Sequence, residues 1–159
     1  MTLGLAAINV GAIASDGGMG TTLLPLGLTF RDTCQITQED GESTELFSEE
    51  HDDPEYVITR PGKTKVNFSI MNPDVDTLAA TLGGVVTSGV WAAPDAMPEV
   101  ERSVEIVPKL GLKISIPRLK MDFKIDWSNV GTTPLLITVS GTILMPTKAG
   151  EAKIKAVEV

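Results

Sequence analysis

The sequence predicts a mostly β chain, an antiparallel β-sandwich or barrel of about seven or eight strands with one short α-helix near residues 73–82. Three observations carry that expectation. Apolar and polar residues alternate with a period of two along most of the chain, which marks half-buried strands. Only one stretch shows helical spacing. The strands follow one another without the intervening helices that βαβ units require.

The elements follow in order. Leu3 to Ala14 is apolar and ends Ala12-Ile13-Ala14-Ser15, which mimics the apolar region and small-residue cleavage site of a signal peptide. No Lys or Arg precedes it, Asn9 and two glycines interrupt it, and it is too short to span a bilayer, so residues 1–27 are expected to be an N-terminal arm or strand. Leu28 to Thr37 reads as the first clear strand, with Leu28, Phe30, Cys34 and Ile36 on one parity and Asp32 a blemish among them. A long acidic loop is expected over 38–62, with Tyr56-Val57-Ile58-Thr59 as a candidate returning strand. Lys63 to Ile70 alternates again, with Val66, Phe68 and Ile70 inward.

Asn72-Pro73-Asp74 opens the helix: Asn72 is a suitable cap, Pro73 suits the first turn, and Asp74 and Asp76 complement the positive end of the dipole. Val75, Leu78, Ala79 and Leu82 form one apolar stripe, and Gly83-Gly84 ends the helix. A helix of about ten residues must dock on a sheet to persist. Val85 to Ala92 and Glu99 to Val107 read as strands. Leu112, Ile114 and Ile116 then alternate on one parity, but Leu119, Met121, Phe123, Ile125 and Trp127 on the other, so Pro117 marks a bulge or break. A turn at Ser128-Asn129-Val130-Gly131 precedes a long uncharged strand from Leu135 to Met145, and residues 147–159 form a C-terminal segment with room for a last strand.

At 159 residues the chain suits a single domain, 1–159, able to bury about 70% of its unfolded surface without a metal or disulfide. Cys34 and His51 are each the sole residue of their kind, which argues against a disulfide, a zinc site or a Cys–His nucleophile; no metal, cofactor or catalytic residue is expected. Asp122 and Asp126 share a strand face with Lys120 and Lys124, which favours an ion-laced surface over acid–base work. Trp91 and Trp127 read as core or interface anchors.

The charge is uneven. Glu39, Asp40, Glu42, Glu45, Glu49, Glu50, Asp52, Asp53 and Glu55 lie in a stretch with no base, and of the totals of 21 acids and 13 bases this leaves 12 acids against 13 bases elsewhere. A net charge of −8 does not suit a DNA-gripping surface. The acidic stretch reads as a solvated loop, as a calcium loop (though it lacks the EF-hand spacing), or as a docking arm whose apolar anchor is Leu46-Phe47. Lys109, Lys113, Arg118, Lys120 and Lys124 stand against Asp122 alone in the stretch from 109 to 124. That surplus is either a solvated sheet face or the basic partner of the acidic arm in a head-to-tail assembly.

The order of parts, from a Gly- and Ala-rich arm through a strand, a long loop and a strand leading into one short helix, resembles the major tail tube proteins of long-tailed bacteriophages, and more loosely the tubes of contractile tails and secretion systems. The likeness covers Leu28 to Pro146 and centres on Val66-Asn67-Phe68-Ser69-Ile70-Met71-Asn72-Pro73-Asp74 running on to Leu82-Gly83-Gly84. It rests on architecture, with no diagnostic motif. The resemblance implies a structural subunit and no enzyme: rings, hexameric in the family, stacked into a tube around a DNA-conducting channel in the virion tail, made in the host cytoplasm. It implies partnership with itself and other tail proteins, DNA only as non-specific passing cargo, and no membrane. The family's stacking loop would fall on Gln38 to Gly62. The competing reading is a monomeric, exported or surface-displayed β-sandwich binding module whose acidic loop takes a basic partner or a cation.

Overall fold

A computed structural model describes residues 1–126, 131, 132 and 134–158. The chain is mostly β with one short helix, and the strands are β1 (Leu3–Gly11), β2 (Leu24–Pro25), β3 (Leu28–Thr29), β4 (Gln35–Gln38), β5 (Glu42–Phe47), β6 (Pro54–Arg60), β7 (Thr64–Met71), β8 (Val85–Thr87), β9 (Val90–Ala92), β10 (Val100–Leu110), β11 (Leu112–Asp126), β12 (Leu136–Ile143) and β13 (Lys155–Glu158), with α1 (Val75–Leu82) between β7 and β8. The main sheet has nine strands in the order β2-β1-β10-β11-β12-β7-β3, with β13 added to β11 and β4 added to β7. Its pairings are all antiparallel.

The sheet curls without closing. β1 and β3 stand near opposite ends of the strand order yet touch, and the Leu26 amide donates to the Ile8 carbonyl. The chain from β2 to β3 therefore crosses the opening from one edge to the other. One apolar core fills the concave side. Its members are Ile8 from β1, Val66, Phe68 and Ile70 from β7, Val104 and Ile106 from β10, Ile116, Leu119 and Met121 from β11, and Ile137, Val139 and Ile143 from β12.

α1 closes that core with Leu78 and Leu82, the latter wholly buried. The cap differs from expectation by two residues: Asp74, rather than Asn72, accepts from the Thr77 amide at 2.7 Å. Asn72 instead takes a left-handed φ of 46° and ends β7, which pushes Pro73 outside the helix. Trp91 packs against the core and donates from its indole to the Gly83 carbonyl at 2.8 Å, so it is a core anchor.

Pro117 marks a bulge, as its parity switch predicted. Val104 pairs with Ile116 and Arg102 with Leu119, so Ser103 faces both Pro117 and Arg118. The extra residue turns Ile116, Leu119 and Met121 to one side. Ser103, fully buried, accepts from the Gly20 amide at 2.9 Å and donates to the Pro117 carbonyl at 2.7 Å.

Two strand expectations are corrected. Leu28–Thr37 is not continuous: it splits into β3 and β4, because Asp32 adopts φ 60° and Thr33 caps the kink, donating to the Phe30 carbonyl and accepting from the Ser69 amide. The blemish in the pattern is the break. Val85–Ala92 is a hairpin, β8–β9, whose turn residues Ser88 and Gly89 both have positive φ, as a tight two-residue hairpin loop demands. Trp127 and the expected turn at Ser128, Asn129 and Val130 lie outside the described residues.

Candidate assembly surface

The acidic stretch from 38 to 62 is a second hairpin rather than a loop. β5 and β6 pair antiparallel from Glu42 opposite Arg60 to Leu46 opposite Tyr56, with an irregularity before Phe47 and Pro54. Tyr56 to Thr59 lies inside the returning strand β6. The hairpin extends the β4–β7 ladder: the Glu39 amide donates to the Lys63 carbonyl at 2.9 Å, and Lys65 pairs with Glu39 at 2.5 Å. That ion pair holds the Glu39 carboxyl below its usual range, first through its hydrogen bond to Lys65. At the base Gly62 is obligatory, since a Cβ there would fall 1.9 Å from the Glu39 carbonyl oxygen.

Every residue of β5 and β6 is exposed. Opposed residues in an antiparallel pair share a face. Leu46, Tyr56 and Ile58 therefore form an apolar strip on one face, while Phe47 and Val57 lie on the other; all five are large apolar residues, and Tyr56 is 71% exposed. The tip carries Glu49, Glu50, Asp52 and Asp53, and His51 there contacts Glu55 at 2.7 Å. Among the described residues no cluster of His, Cys, Asp or Glu is arranged to hold a metal ion. Asp40, Glu42 and Glu45 lie at the base and along β5.

The basic residues are placed differently from a free complementary face. Arg118 pairs with both carboxylate oxygens of Glu101 at 2.8 and 3.1 Å and also donates to the Met145 carbonyl. Lys120 pairs with Glu99 at 3.0 Å and Lys113 with Glu105 at 3.3 Å. The partners come from β10 or the residue before it, so three of the five expected cations are matched within the chain. Hydrogen bonding to Arg118 lowers the Glu101 carboxyl, and hydrogen bonding to Glu99 raises Lys120. The local surplus of bases in one strand is cancelled by acids on its neighbour, which a count along the sequence does not reveal. Lys124 sits on the polar side of β11, and Lys109 lies against Gly4 at the open edge. Asp122 and Asp126 are exposed on the same polar side as Lys124.

An open groove of about 1110 Å³ lies beside the β2–β3 crossing. The first half of β1, with β10 and the start of β11, lines one wall, and β3, the kink and β4 line the other. Its lining is largely apolar and includes Leu5, Leu28, Phe30, Ile36, Leu112 and Ile114. Cys34 also faces it, and burial raises its thiol. Sequence reasoning missed this groove, because Leu28 and Ile36 carry the alternation of a strand that buries both; in the folded chain Leu28 is 71% exposed. Among the described residues β1 is bordered by β2 only at Asn9 and Val10, so most of that edge has no strand partner there.

No helix among the described residues is long and apolar enough to cross a membrane. Compared with known proteins, the chain matches no family model and no curated protein.

Proposed function

We propose that this chain is a self-assembling structural subunit of a phage-like tail tube, forming stacked, hexameric rings around a channel that conducts DNA. In this reading it has no enzyme activity, its partners are its own copies and other tail proteins, DNA is passing cargo, and its place is the virion tail. The observation that carries it is the β5–β6 hairpin, five large apolar side chains held in water on an extension of the sheet. A lone two-stranded hairpin is marginal in water, and exposed apolar surface of this kind marks an interaction site. The unpaired edge of β1 adds to the argument, since isolated antiparallel domains guard such edges and assemblies consume them.

The position of the acids refines the reading. The polar side of the main sheet carries three acid–base pairs, while Glu49, Glu50, Asp52 and Asp53 gather at the tip of the hairpin. In the proposed tube they serve contacts between subunits more than the lining of the channel.

Negative-stain microscopy and sedimentation of concentrated protein test the proposal, with rings or tubes expected. Reversing Glu49, Glu50, Asp52 and Asp53 to Lys is expected to block assembly while leaving the fold intact. Exposed loop sites change stability by about 0.5 kcal/mol or less, whereas like charges at an interface cost several. A wild-type chain that stays monomeric at high concentration would instead identify a binding module.

A further inference from the structure

We infer that the seat of the β5–β6 hairpin is the apolar groove beside the β2–β3 crossing on a second copy of this chain, an inference that rests on the assembly reading above and names its contact. The two surfaces complement each other. The hairpin offers the strip Leu46, Tyr56 and Ile58, and its strands of six and seven residues are about 20 Å long. The groove offers an apolar floor with Leu28 and Leu112 exposed, and its volume of about 1110 Å³ exceeds the roughly 300–1,000 Å³ of small-molecule clefts.

Charge agrees in sign. The hairpin tip carries Glu49, Glu50, Asp52 and Asp53. The charged residues of the groove lining are Arg31, Asp32 and Lys109, a net single positive charge. Arg31 and Asp32 lie 3.6 Å apart with both side chains about nine-tenths exposed, so Arg31 is only weakly engaged by its neighbour.

The hairpin does not fill the groove of its own chain. Its strands are exposed along their whole length, and its base is fixed by the Glu39–Lys63 and Glu39–Lys65 contacts. A contact between two different patches is heterologous, so each copy has one arm to give and one groove to fill. Such a contact propagates from copy to copy until geometry closes it.

That property supplies the test. One variant removes the arm's strip (Leu46→Ser, Tyr56→Ser, Ile58→Ser), and another blocks the groove (Leu28→Glu, Leu112→Glu) with acids that repel the hairpin. All five positions are exposed, so both variants are expected to melt with the wild type. Alkylating Cys34, the sole cysteine, with a bulky maleimide gives a second groove block that needs no substitution. In sedimentation each variant alone is expected to stay monomeric at ten times the concentration at which the wild type assembles. An equimolar mixture is expected to give a dimer and stop, since only one functional arm and one functional groove remain to meet.

Tubes formed by the groove-blocked variant overturn this inference and leave the tube reading standing. Assembly by the arm variant, through direct pairing of β1 edges, also overturns it. Complementation into a dimer, with a wild type that forms only finite oligomers and no rings, upholds the docking and overturns the tube. A wild type monomeric at every concentration overturns both.

Discussion

Ser103 shows how much of this fold hangs on single polar atoms. Its hydroxyl serves two backbone groups, the Gly20 amide and the Pro117 carbonyl, in a site with no solvent access. Ser103→Ala is nearly isosteric, so packing is kept while both partners lose their bond. A stranded buried group costs about 1–3 kcal/mol. The variant is expected to melt lower by at least several degrees, given about 2–4 °C per kcal/mol for chains of this size. Calorimetry checks it, and an unchanged midpoint would show that water replaces the hydroxyl. Leu82 makes the matching case for packing. It is fully buried and Leu78 nearly so, hence truncating either to Ala is expected to cost about 2–5 kcal/mol in the isolated chain. A melting midpoint unchanged by Leu78→Ala would move the helix from the folding core to a contact between copies. The apolar stripe made these two residues legible in advance. Ser103 was not legible, because nothing in a lone serine between Arg102 and Val104 tells that a bulge on the neighbouring strand needs a donor.

At the scale of elements, the acidic hairpin and the helix stand at opposite ends of stability. α1 is anchored by two core leucines, a cap at Asp74 and the Trp91 bond to Gly83. Among the described residues β5–β6 is held by its cross-strand bonds and by the Glu39 contacts at its base, with no side chain in the core. Its amides are therefore expected to exchange with solvent quickly in the monomer and slowly once assembled, while those of β7 and β12 stay protected throughout. Equal protection of the hairpin in both states, measured by hydrogen exchange, would deny it a role in assembly. Burying Leu46 and Ile58 of the docking strip supplies at most about 1.5–3 kcal/mol each, since both are already half covered in the monomer. Their sum falls near the low end of the roughly 4–15 kcal/mol lost in rotational and translational freedom. A single arm contact is thus weak, and assembly needs several contacts at once. Strand β7, the helix and the Pro117 bulge were readable because their patterns report local constraints. The split at Asp32 was readable only as an anomaly, since the kink is set by Thr33 reaching Ser69 of another strand. Of the hairpin only the returning strand, at Tyr56 to Thr59, was readable; its partner hid for a different reason, since a strand exposed on both faces has no alternation to display.

Over the whole molecule, ion pairs join parts that are distant in the chain, and they fix how stability responds to acid. Asp16 pairs with Lys148 at 2.7 Å and ties the loop after β1 to the segment after β12; Glu39 ties the hairpin base to β7; Glu101 ties β10 to β11 through Arg118. Each carboxyl is held below its usual range, first by its hydrogen bond to the basic partner. The folded chain therefore binds fewer protons than the unfolded chain in the carboxylate range, so stability rises with pH there. The contribution is fully present above the unfolded carboxylate values, about 3.9 for Asp and 4.3 for Glu, and disappears as pH falls through the depressed folded values. These side chains are a third to a half exposed, which keeps each contribution small. The melting temperature is accordingly expected to be level from neutrality to about pH 5 and to fall below it. Glu101→Gln removes the titrating group and leaves Arg118 without its ion-pair partner, so the variant is expected to start lower at pH 7 and to decline less steeply in acid. A variant with the wild-type slope would locate the acid sensitivity elsewhere. The same measurement on assembled protein separates folding from association: a midpoint that climbs with protein concentration, as mass action requires of any complex, would show the assembly adding to this intrinsic curve, and the intrinsic slope would remain visible in the dilute limit.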